Sequence, residues 1–171
     1  MECVYIYFFV NILEKWTTAK ASRFCRPLIV YIMDPLISSP SPLAYTSGVF
    51  LINVAVCYLY EYYVYSALFF TLFITSIIHH TNYTDVSVIV DKIAVLAVVF
   101  YGGYVFYNKL DKPISLYHLV AVITFLGTIV LYYLGYIQNQ YCFDCDKTTA
   151  DFYHGFMHFI SCIGHICIVL V

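Results

Sequence analysis

The apolar positions of this chain come in long blocks rather than in alternation. Five stretches, over residues 43–60, 62–80, 86–107, 115–137 and 150–171, are hydrophobic nearly all round, and polar or turn-forming residues fall between them. About 20 such residues in a helix cross about 30 Å of hydrocarbon. Backbone N–H and C=O groups find no water there, so each stretch must satisfy its own hydrogen bonds as a helix. The pattern therefore predicts an all-α fold, a polytopic membrane bundle of about five transmembrane helices. Ser38-Ser39-Pro40-Ser41-Pro42 breaks the chain before the first stretch, and Pro113 stands just ahead of the fourth. Only a short turn around Glu61 separates the first two, which makes them a tight hairpin. Gly102-Gly103 in the third offers a place where helices can approach closely.

Before the first stretch lie two shorter apolar runs, 1–13 and 27–37, the second interrupted by Asp34 and Pro35. Neither is long enough to span. Glu2 stands where a signal peptide would carry positive charge, and no A-x-A-like site follows. With Lys15, Trp16, Lys20, Arg23 and Arg26 beside it, this region reads as an interfacial segment on the cytoplasmic side. The expected organisation is thus an N-terminal segment over 1–42 and a transmembrane helical domain over 43–171.

Composition sharpens the class. Of 171 residues, 63% are hydrophobic and 11% charged, against about 25% charged in soluble domains. Too little polar surface exists to coat a water-soluble globule, so the lipid bilayer is the expected surroundings. Tyrosine is abundant, at 19 residues, as suits many helix ends at a membrane interface. With 8 Lys plus Arg against 10 Asp plus Glu and a net charge of −2, a nucleic-acid partner lacks its electrostatic footprint. Five crossings put the N-terminal segment, the loop near 81–85 and the loop near 138–149 on one face. Lys15, Lys20, Arg23, Arg26, Lys92 and Lys147 belong to that face, against Lys109 and Lys112 on the other. The positive-inside rule makes the first face cytoplasmic. Asn82-Tyr83-Thr84 on it is a glycosylation sequon whose use would test that orientation.

Ionisable side chains within a span are costly and mark a functional site by default. Here they converge. Ser76 and His80 stand four apart on the second span, and His154 and His158 four apart on the fifth, so each pair shares a helix face. Asp91 lies early in the third. The second span ends on the face where the third and fifth begin, which places all five residues at similar depth. Three neutral imidazoles with one open position form the ligand set of a catalytic zinc. His80, His154 and His158 are therefore candidate ligands. Zinc makes hydroxide available near neutral pH, Asp91 suits the general base, and Ser76 can bond the water or donate to a developing oxyanion. In hydrocarbon the expected substrate is a membrane lipid. His79 competes with His80 as ligand, although only His80 shares the face of Ser76. Simpler roles exist too: Ser76 bonding its own helix carbonyl, Asp91 paired with Lys92, and His118 and His165 as packing residues. Cys142-Phe143-Asp144-Cys145, a single C-x-x-C, makes at most half of a structural zinc site, disulfides are not expected on a cytoplasmic face, and Cys3, Cys25, Cys57, Cys162 and Cys167 read as small apolar fillers.

The pattern Ser76-x-x-x-His80, Asp91 eleven residues on, and His154-x-x-x-His158 in the last span resembles the CREST superfamily of membrane hydrolases. That group takes in alkaline ceramidases and the progestin and adipoQ receptors. The resemblance implies a zinc site on His80, His154 and His158, with Asp91 and Ser76 around the water, and hydrolysis of a lipid amide or ester. Members typically have seven spans. This chain has room for five, an even difference that keeps the site residues on one leaflet and leaves space for completion by self-association. The contrasting expectation is a non-enzymatic small multi-pass protein, receptor-like or with an assembly role, which keeps the polar cluster for packing.

Overall fold

A computed structural model of the chain describes residues 42–82 and 84–171. The expected interfacial segment lies, apart from Pro42, outside the described residues, as does Tyr83 of the sequon. The described residues contain six α-helices, two 3-10 turns and no strand: α1 (Pro42–Thr46), α2 (Phe50–Leu59), α3 (Tyr63–Thr81), α4 (Asp85–Tyr107), α5 (Leu116–Gln138) and α6 (Lys147–Leu170). A 3-10 turn, Ser47–Val49, joins α1 to α2, so these two pieces form one span. Together with α3, α4, α5 and α6 they give five helices long and apolar enough to cross a membrane.

Each junction has a local cause. Pro42 opens α1, where its missing N–H costs nothing. Glu61 takes a left-handed φ of 65°, and Tyr62 N–H donates to the Cys57 carbonyl at 2.8 Å. That closes the hairpin between α2 and α3. Thr84 caps α4 by accepting from Ser87 N–H at 3.0 Å, and Ser87 Oγ accepts from Thr84 N–H at 2.9 Å. Asn139 ends α5 in the left-handed conformation at φ 53°, a role asparagine fills readily.

Helix α6 is the hub of the bundle. It packs on α1, α2, α4 and α5, while α3 packs between α2 and α4. Phe50, Cys57, Tyr65, Phe69, Leu72, Ala94, Val98 and Val169 form the shared core. Outward faces remain apolar, as in the exposed Leu119, Ile123, Leu126 and Val130 of α5. In water such a surface would be untenable, and in lipid it is the natural outer face. The structure is an all-α bundle of membrane-spanning type.

Candidate metal centre

Two helices supply the histidines. His80 ends α3, and His154 and His158 stand one turn apart near the start of α6. One ligand atom from each lies within 4.8 Å of the other two. Ring centroids are 5.1 Å apart for His80 and His154, 5.7 Å for His80 and His158, and 4.9 Å for His154 and His158. His158 is buried, and the other two rings are half-buried. Nitrogens bound to one tetrahedral ion at about 2.0–2.1 Å stand about 3.4 Å apart, so small rotamer adjustments would bring these onto a cation. Neutral imidazoles suit zinc, copper, iron or nickel. The donor set therefore fits a transition metal.

The neighbouring histidine does otherwise. His79 is buried, and its ring lies tilted against that of His80 at 4.9 Å between centroids, outside the converging trio.

Hydroxyl groups of the first span enter the same region. Thr46 and Ser47 are adjacent where α1 meets the 3-10 turn, so their side chains diverge by about 100°. Thr46 reaches α6 and Ser47 reaches α3. Thr46 Oγ1 is 3.0 Å from the Leu43 carbonyl and 3.1 Å from His158 Nδ1. Ser47 Oγ is 2.9 Å from the Leu43 carbonyl and 2.9 Å from Ser76 Oγ. A carbonyl only accepts, so Ser47 donates to Leu43 and Ser76 donates to Ser47. Ser76 thus bonds another span rather than its own helix. Both serines are almost fully buried. Neither Thr46 nor Ser47 stands out in the sequence, although the leaflet argument that gathers Ser76 and His80 applies equally to polar residues opening the first span.

Asp91 is buried on α4 beside α3. Its Oδ1 receives a long contact from Thr75 Oγ1 at 3.5 Å, and its Oδ2 lies 3.8 Å from Lys92 Nζ. The local pairing with Lys92 is therefore present, and Asp91 is not among the three residues whose donor atoms converge.

His165, seven residues beyond His158, hydrogen-bonds through Nδ1 with the Tyr65 hydroxyl and packs on Phe69 at 5.2 Å. His118 accepts from Ser115 N–H at 3.1 Å and caps the start of α5. Both hold structure, as expected of packing histidines. Cys142 keeps a free thiol, so it forms no disulfide with Cys145, and its Sγ lies 3.2 Å from Met157 Sδ. No protein-family model, characterised protein or solved structure matches this chain significantly.

Proposed function

We propose that this protein is a zinc-dependent hydrolase that cleaves an amide or ester bond of a membrane lipid, as its resemblance to the CREST pattern implies. The observation that carries the reading is the convergence of three imidazoles from two spans within 4.8 Å, at the helix ends, where lipid carbonyls lie. His80, His154 and His158 would hold the ion, which supplies Lewis acidity and lowers the pKa of water. Asp91 takes a proton from the attacking water at a carboxylate oxygen and returns it to the leaving nitrogen or oxygen. Ser76, with its own proton directed to Ser47, keeps lone pairs that orient that water by accepting from it. The surrounding apolar spans exclude bulk water and admit the lipid chains laterally. Basic residues are more numerous at this end of the bundle and in the N-terminal segment, which supports a cytoplasmic placement for both.

The test is elemental analysis combined with turnover. Purified wild-type protein is expected to carry about one zinc per chain, and a His154→Ala/His158→Ala double variant to carry none. Asp91→Asn is expected to keep the metal while losing about 10²- to 10⁴-fold in hydrolysis of a ceramide or acyl-ester lipid. Metal-free wild type, prepared without chelators, would end the hydrolase reading. Full zinc with no turnover against either lipid class would favour the non-enzymatic alternative.

A further inference from the structure

The hydroxyl of Thr46 has one proton and two neighbours. One neighbour is the Leu43 carbonyl at 3.0 Å, which can only accept, and the other is His158 Nδ1 at 3.1 Å. If Thr46 gave its proton to Nδ1, its approach to the carbonyl would set two acceptors face to face. Both contacts are hydrogen bonds in one arrangement only. Thr46 donates to Leu43, and His158 donates its Nδ1–H to Thr46. The imidazole then carries its lone pair on Nε2. Among the described residues, no hydrogen bond holds the ring of His80 or of His154, so His158 is the member of the trio with an outer partner.

The packing around this bond favours the same geometry. Gly155 lies on α6 three residues before His158, and a Cβ there would meet Thr46 Cγ2 at 3.0 Å. Without a side chain at that point, the first span seats its Thr46 side chain directly against α6. Phe50, at the start of α2, covers the His158 ring from a centroid distance of 5.0 Å. Ring rotation is thereby restricted on one side by the aromatic and on the other by the hydroxyl. Metal-bound histidines commonly have their second nitrogen held in this way, which fixes tautomer and orientation.

We infer that Thr46 is a positioning residue for the metal centre, holding His158 as the Nδ1–H tautomer so that Nε2 faces His80 and His154. The inference rests on the metal reading of the trio. Its structural half, the tautomer, can be judged whether or not an ion binds.

Two measurements on the full chain in detergent micelles test it. The first is ¹⁵N NMR of the histidine rings in metal-stripped wild type, where His158, assigned by its loss in His158→Gln, is expected as Nδ1–H. Finding Nε2–H there overturns the inference, and this readout is taken on the wild-type fold. The second is zinc affinity by chelator competition in wild type, Thr46→Val and Thr46→Ser. Valine keeps the shape without the acceptor and is expected to weaken zinc binding about 10- to 100-fold, with the His158 resonances moving toward a tautomer mixture. Serine keeps the hydroxyl and is expected to stay within about threefold of wild type. Equal affinity in Thr46→Val, or equal loss in Thr46→Val and Thr46→Ser, overturns the positioning role. Wild type that binds no zinc but shows His158 as Nδ1–H would end the metal reading while leaving the Thr46 bond intact, so the two failures are distinguishable.

Discussion

A Cβ built on Gly102 would overlap the Tyr65 hydroxyl and lie 3.0 Å from the His165 ring, whereas one on Gly103 would meet nothing within 4 Å. The two glycines are neighbours about 100° apart on α4, and only the first faces the hydrogen-bonded Tyr65 and His165 pair. Tyr65 is fully buried, so its ring has no free space into which to move. Gly102→Ala is therefore expected to destabilise the bundle by about 1–3 kcal/mol, the usual cost of overpacking. Gly103→Ala is expected to be neutral or slightly stabilising, because alanine is the better helix former. Thermal unfolding of both variants in the same micelle checks this, and equal midpoints would contradict it. From the sequence the pair is visible as a place for close helix approach, but not which member is used. That depends on the rotation of α4 against α3 and α6, and a helix apolar on every side carries no stripe to reveal it. Thr46 and Ser47 are hidden for a related reason. Their chemistry appears only once a proton count is made across three spans.

At the scale of the element, the start of α6 lies three residues before the apolar stretch that predicts it. Asp146 provides the physical reason. Its Oδ2 accepts from Thr149 N–H at 2.8 Å and from Thr149 Oγ1 at 2.7 Å, so the cap extends the helix back to Lys147. A capping acid three residues before a threonine is legible in a sequence, but hydropathy alone starts counting at the hydrocarbon. The hydroxyl and amide of Thr149 hold the Asp146 carboxyl below its ordinary pKa. The sign follows by linkage: a depressed acid contributes its stabilisation in full above the ordinary aspartate range and loses it as pH falls through the lowered value. Hydrogen exchange at the Thr149 amide, corrected for intrinsic rate, is expected to be several-fold less protected once Asp146 is protonated. Asp146→Ala should show that weak protection at every pH. Unchanged protection on acidification would mean that the cap does not hold the first turn. Because the turn leads directly to His154, fraying there is also expected to loosen the histidine trio before the rest of α6.

Across the whole molecule, span number and order are readable because hydrocarbon thickness sets a length that composition reports directly. Helix pairing is not, since lipid solvates every apolar face as well as a neighbouring helix does. Consecutive spans illustrate the gap. Helices α4 and α5 are joined by a short loop, yet α4 packs chiefly on α3 and α5 on α6, while the two meet through the Phe106 and His118 rings at 5.8 Å. Between them is a cavity of about 250 Å³ lined by Gly103, Phe106, Thr124, Phe125, Gly164 and His165 among others. What fastens the loop is Lys109, a buried cation whose Nζ donates to the carbonyls of Ile168 at 2.9 Å and Val169 at 2.8 Å and lies 5.0 Å from the Tyr62 ring centroid. His118, whose Nδ1 accepts from Ser115 N–H, has its Nε2 3.4 Å from the Lys109 carbonyl and ties the start of α5 to the same point. The last turn of α6 thus gains donors for carbonyls that have no intrahelical partner. Lys109→Met keeps the apolar stem and removes those donors, at an expected cost of about 1–3 kcal/mol. The histidine trio stands at the opposite end of the spans, so the zinc affinity proposed for it should stay within about threefold of wild type. Unfolding midpoints and chelator competition on one preparation separate the two effects. A large loss of affinity together with stability would mean that the two ends of the bundle are coupled through α6.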